Sequence, residues 1–145
     1  MEYTDLAAEL LSKILAFRKA GLHQNIGEAL RGENFILNFI ACCEDVVLPG
    51  EISHEMDVSS ARIAAALNRL EDKNLITRQI DKNDRRRILV RITPEGRELA
   101  DKNQREVLEA AAKLLSRLDE HDAREYVRIT GKLADIIASG DVAGA

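Results

Sequence analysis

Residues 52–96 read ISHEMDVSSARIAAALNRLEDKNLITRQIDKNDRRRILVRITPEG, and the fold turns on how this stretch divides. Its first part places two short helices, Gly50 to Met56 and Ser60 to Asp72, on either side of Asp57-Val58-Ser59, the spacing of a helix-turn-helix. Ser59 suits an N-cap, because its hydroxyl can accept from an N–H that the first turn leaves unpaired. Ile63, Leu67 and Leu70 share one side of the second helix and, with Ile52, Met56 and Val58, make a small core. Asn74 stands where the helix should stop, and asparagine follows glycine as a left-handed C-terminal cap.

Beyond Asn74 the period changes from helical to extended. Leu75 to Ile80 and Ile88 to Thr93 read as two strands, the second alternating Ile88, Val90 and Ile92 against Leu89, Arg91 and Thr93. The turn-rich tip between them, Asp81 to Arg87, carries Lys82, Arg85, Arg86 and Arg87. An arm of this kind can reach a minor groove, whose negative potential attracts inserted arginine. Asp81 and Asp84 moderate the charge of the tip and are placed to orient its arginines by bidentate pairing. On the side of the second helix away from the core stand Ala61, Ala65 and Asn68, flanked by Ser60, Arg62 and Arg69. Small residues permit close approach, and Arg, Ser and Asn match base edges and phosphates. Arg62 and Arg69 have a second reading as partners of local acids, with Arg69 anchoring the helix to its own domain.

The whole chain, 145 residues, carries a formal charge of −4, which would disfavour a nucleic-acid partner. The mean conceals a segregation. From Arg62 to Arg97 ten basic residues face five acidic ones, so this stretch holds +5 and the remainder −9. An acidic remainder repels DNA from every other face and orients the basic one. With 46% hydrophobic and 32% charged residues the chain is neither disordered nor membrane-spanning, and its length suits one compact domain. Five aromatics and no tryptophan argue against a stacking platform for single strands. Leu6 to Phe17 is interrupted by Glu9 and Lys13 and lacks a signal peptide's basic start, so a cytoplasmic location is expected.

The flanks read as helices. Leu6, Leu10, Ile14 and Phe17 recur at helical spacing over about Asp5 to Lys19, with Leu11 and Leu15 widening the stripe, and Gly21 and Gly27 mark a break. A second helix from about Gly32 shows Phe35, Ile36, Phe39, Ile40 and Cys43 on one face and ends before Leu48-Pro49-Gly50. After the strands, Thr93 caps a helix with Pro94 at its first position. That helix begins polar and becomes apolar through Val107, Leu108, Ala111, Leu114, Leu115 and Leu118. A last helix from near Asp119 carries Ala123, Tyr126, Val127, Thr130, Leu133, Ile136 and Ile137. Faces this apolar require cover, either in one large intramolecular core or in a two-fold dimer, and the long helix leaving the second strand favours the dimer.

No Gly-rich phosphate loop, serine nucleophile elbow or HExxH motif is present, so no enzyme and no cofactor are expected. His23, His54 and His121 are scattered without ligand spacing, so no metal is expected. Cys42 and Cys43 close an apolar helix beside Glu44 and Asp45, which raises a thiol pKa and favours packing over oxidant sensing.

Taken together, Ile52-x-x-Glu55-Met56-x-Val58-Ser59, then Leu67-x-Arg69-Leu70-Glu71-x-Lys73-x-Leu75-Ile76-x-Arg78, then Asp81-x-x-Asp84-Arg85-Arg86, and Val90-x-Ile92-Thr93-x-x-Gly96 resemble the MarR family of winged helix-turn-helix regulators. The resemblance spans about Leu48 to Gly96. It implies a mainly α fold: a winged helix-turn-helix lobe over about residues 30–95 with a two-stranded β wing, and helical dimerisation regions over about 1–28 and 96–140. It also implies a homodimeric repressor on a pseudo-palindromic double-stranded DNA, relieved in many members by a small aromatic ligand. The recognition helix then falls on Ser60 to Glu71 and the minor-groove arginine on Arg86, buttressed by Asp84. Asn74 departs from the family's usual glycine. The residues expected at DNA are Ser59, Ser60, Ala61, Arg62, Ala65, Asn68, Arg69, Arg78, Lys82, Asp84, Arg85, Arg86 and Arg87. Two other readings stand beside this one: a winged-helix module that binds an acidic protein, and a thiol switch using Cys42 and Cys43.

Overall fold

A computed structural model describes residues 3–19 and 32–140; the glycine break at Gly21 and Gly27, and His23, lie outside the described residues. In chain order the elements are α1 (Tyr3–Lys19), α2 (Gly32–Cys42), α3 (Pro49–Met56), α4 (Ser60–Asp72), β1 (Ile76–Ile80), β2 (Ile88–Ile92), α5 (Pro94–Leu115) and α6 (Glu120–Ala138). The chain divides into two compact units, residues 1–107 and 108–145.

In the first unit one apolar core joins α2, α3, α4, the hairpin and the start of α5. It consists of Ile36, Leu37 and Ile40, Val47, Ile52, then Ile63, Ala66, Leu67 and Leu70, with Ile76, Val90 and Ala100. A fully buried aliphatic side chain contributes about 1.5–3 kcal/mol, so this cluster is the main source of the lobe's stability. The expected face of α2 holds at Ile36 and Ile40, with Phe39 and Cys43 half-buried against the core and Phe35 half-buried, and it is widened by Leu37, which is wholly buried. The helix is enclosed on a wider arc than one apolar stripe suggests.

β1 and β2 pair antiparallel in the register Ile76↔Ile92 to Ile80↔Ile88. A residue that the sequence did not flag extends them. Val47 forms an isolated bridge with Val90, its N–H donating to Val90 O at 3.0 Å and its carbonyl accepting from Val90 N at 2.9 Å. The expected inward alternation on β2 holds at Val90 and fails at Ile88, which is 40% exposed because the ladder has by then run past the core.

The junction of hairpin and α5 is stitched through one threonine. Thr93 Oγ1 donates to Asn74 O at 2.7 Å and accepts from Gly96 N at 2.9 Å, while Thr93 N donates to Leu75 O at 3.1 Å. Asn74 takes the left-handed conformation expected of it, with φ 61°. Gly96 is buried so tightly that a Cβ there would lie 2.0 Å from Leu75 O.

In the second unit, Asp119 caps α6 by accepting from Asp122 N at 2.9 Å. Leu118, expected on the preceding helix, lies in the turn after it, since α5 ends at Leu115. Tyr126, Val127, Leu133 and Ile137 of α6 are each more than half exposed in the single chain.

Candidate nucleic-acid interface

The helix-turn-helix is built locally. Asp57 supplies the turn with φ 51°, a conformation that Asp and Asn tolerate better than other side chains, and Val58 N donates to Ser53 O at 3.2 Å. Ser59 caps α4, accepting from Arg62 N at 3.4 Å. Because Ile63, Ala66, Leu67 and Leu70 bury one side of α4, the other side is fixed outward: Ser60, Ala61, Arg62, Ala65, Asn68 and Arg69 are all exposed.

The hairpin tip is held by its backbone. Asp81 N donates to Arg87 O and Arg87 N to Asp84 O, both at 2.9 Å. The carboxylates of Asp81 and Asp84 accept from Asn83 N at 2.9 Å and Arg86 N at 3.0 Å. The expected bidentate pairing of these acids with arginine side chains is therefore corrected. Asp84 braces Arg86 through the peptide N–H, and Asp81 approaches the Arg87 guanidinium only at 3.9 Å. Short turns expose their N–H groups to the nearest carboxylate, and that contact costs less side-chain ordering than a fork.

The ten basic residues of 62–97 separate into engaged and unengaged sets. Arg69 and Lys73 both pair with Glu33 on α2, Lys73 at 2.7 Å. Those two partners, Lys73 first, hold the Glu33 carboxyl below its ordinary value. Arg78 donates through Nη2 to Glu71 Oε1 at 2.9 Å and to Asn68 Oδ1 at 2.7 Å, while its backbone N donates to Glu71 Oε2 at 3.1 Å. The bond from Arg78 likewise lowers Glu71. Arg91 lies 3.8 Å from Asp45, and Arg97 donates to Ala41 O at 3.2 Å. Arg62, Lys82, Arg85 and Arg86 have no such partner among the described residues and are exposed. They stand at the start of α4 and at the tip of the hairpin. Glu33 is the member of this surface that sequence reasoning missed. Its partners are 36 and 40 residues away, and only the contact of α2 with α4 brings them together.

Between α3, at Pro49, Glu51 and His54, and the hairpin, at Arg86, Arg87 and Ile88, opens a cleft of about 550 Å³. Cys43 donates to Phe39 O at 3.3 Å, and burial first, then Glu51 and Cys42, push its thiol upward. The expected direction holds, but its leading cause is burial and the acid involved is Glu51, not Glu44 or Asp45. No group of three or more metal-ligating side chains gathers among the described residues, and no helix among them is long and apolar enough to cross a membrane.

Residues 35–111 match the family described as winged helix DNA-binding domain. The HTH-type transcriptional repressor MdtR of Bacillus subtilis (strain 168) is 38% identical over 88 residues, which are 58% of this chain and 54% of that protein. The chain thus spans about half the length of the curated relatives it matches. Among solved structures, Streptococcus pneumoniae FabT in complex with DNA superposes with a TM-score of 0.70 at 21% identity, covering 95% of this chain and 99% of that one. A MarR transcriptional regulator from Methanosarcina mazei Go1 gives 0.64 at 23% identity, covering 94% and 96%. At these identities the likeness is one of fold.

Proposed function

Because this chain belongs to the winged helix DNA-binding domain family and has the fold of MarR-family regulators, we propose that it is a cytoplasmic transcriptional repressor that binds double-stranded DNA and acts by binding, without catalysis. The observation that carries this reading is the placement of the four unengaged cations, Arg62 on α4 and Lys82, Arg85 and Arg86 on the hairpin tip. With α4 in a major groove, Ser60, Ala61, Arg62 and Ala65 meet base edges and phosphates, and the tip reaches the flanking minor groove. Ser59, Asp84 and Arg87 shape the backbone that presents these groups. Arg69 and Arg78 act here chiefly as struts, since each is already held by a carboxylate.

The apolar faces of α1 and α6, exposed in the single chain, support a homodimer on a pseudo-palindromic site. Its half-sites would lie about 34–36 Å apart, one helical turn. Relief by a small aromatic ligand belongs to the same proposal and rests on the family likeness; such a ligand must bind the DNA-free arrangement more tightly.

The test is an anisotropy titration of the full chain on duplexes flanking its own coding sequence. Salt-sensitive binding that weakens in Arg86→Ala is expected. Absence of such binding, or undiminished affinity of Arg86→Ala, contradicts the proposal.

A further inference from the structure

Asn68 stands exposed on α4, and its amide is not free to face either way. Arg78 Nη2 lies 2.7 Å from it, and a guanidinium carries donors only, so the atom turned toward Arg78 has to be Oδ1. Arg78 is itself fixed, since Glu71 accepts from its Nη2 at 2.9 Å and from its backbone N at 3.1 Å. The chain of contacts Glu71–Arg78–Asn68 therefore ties the amide oxygen to β1 and leaves Nδ2, with two hydrogens and no partner among the described residues, as the group presented outward.

Polarity of this kind selects a base. An asparagine that reads adenine in the major groove uses both halves of its amide, donating to N7 and accepting from N6. Here one of the two lone pairs of Oδ1 already holds Arg78, which keeps that oxygen turned toward β1, whereas both hydrogens of Nδ2 remain to be given. Guanine offers two adjacent acceptors, N7 and O6, whereas thymine offers O4 alone beside a methyl group. We propose that Asn68 is a specificity-determining residue that donates through Nδ2 to a guanine in each half-site, with Arg78, held by Glu71, as the positioning residue that sets its polarity. This rests on the reading of α4 as a major-groove helix.

Duplexes bound by the full chain, selected from a random library, test it. The wild type is expected to select guanine at one position of each half-site. Asn68→Ala should lose that preference, by about tenfold for a lost base contact, and keep the others. Asn68→Asp presents only acceptors, so its preference there should move to cytosine or adenine, whose exocyclic amines donate. Being exposed, that substitution leaves the fold intact and keeps the test open even if Arg78→Ala melts early. Arg78→Ala, where folded, frees Oδ1 and should raise adenine at the same position. Adenine or thymine at the Asn68-dependent position of the wild type, or an unchanged site in Asn68→Ala, would overturn the proposal. If the wild type recovers no preferred duplex at all, the DNA-binding reading fails and this inference with it.

Discussion

Gly96→Ala tests the joint at which the hairpin hands the chain to α5. On sequence grounds the change should stabilise, since alanine exceeds glycine in a helix by about 1 kcal/mol. The structure reverses the sign. The new Cβ would lie 2.0 Å from Leu75 O and 2.9 Å from both Leu75 C and Ile92 Cγ1. Its nearest neighbour is backbone, already engaged with Thr93 N at 3.1 Å, and cannot swing aside as a side chain would. Relief requires the first turn of α5 to withdraw, which strains the Thr93 bonds to Asn74 O and Gly96 N. Overpacking costs about 1–3 kcal/mol, and two weakened hydrogen bonds cost about 1 kcal/mol each. Set against the helix gain, a net loss of about 3 kcal/mol is expected. At about 3–4 °C per kcal/mol for a chain of this size, Tm should fall by about 10 °C. Circular-dichroism melts at one fixed chain concentration, with urea titrations alongside, measure it. A variant that melts with the wild type, or above it, would refute the reasoning.

Asn74→Ala should lose about 1 kcal/mol in the same melts, because φ 61° suits alanine poorly, while Asn74→Gly should lose nothing. Glu33→Gln releases Arg69 and Lys73 from their shared carboxylate and should steepen the salt dependence of DNA binding. Glu33 and Glu71 are both held below the ordinary 4.5, so the stability they contribute is complete above that pH and is lost as pH falls through their lowered values. Melts from pH 7 to pH 3 should show this acid limb, shallower in Glu33→Gln. Cys43, with its thiol pushed above the ordinary 9.0, should alkylate slowly with iodoacetamide at pH 7 compared with the unfolded chain, as read by mass spectrometry.

The lobe was legible wherever local chemistry and periodicity agree. Ser59, Asn74 and Thr93 each mark an end of an element by a bond that reaches only a few residues along the chain, and all three ends fall as expected. α4 was readable by faces because its moment separates Ile63, Leu67 and Leu70 from Arg62 and Asn68. What escaped depends on distant contact. Val47 is a single bridging residue with no period to read, and Ile88 fits an inward alternation that the sheet does not extend far enough to satisfy. Gly96 resembles a weak helix start until Leu75 O is placed against it. The interface was legible as a charge segregation and, at Arg69, as an anchor to its own domain, but not as a full division of labour. Which arginines are struts and which are free depends on Glu33 and Glu71 meeting them in space.

That division is the central claim, and the salt dependence of DNA affinity tests it most directly. Each phosphate neutralised contributes about −0.9 to the slope of log K against log salt. Four cations without a partner among the described residues, in each chain of the proposed dimer, should therefore give the wild type a slope of about −7 on its preferred duplex. Replacing Arg62, Lys82, Arg85 and Arg86 together by alanine should flatten most of that slope, whereas Arg69→Ala should leave it nearly unchanged. A wild-type slope near zero, or a fourfold variant that binds with the wild-type slope, would contradict the account.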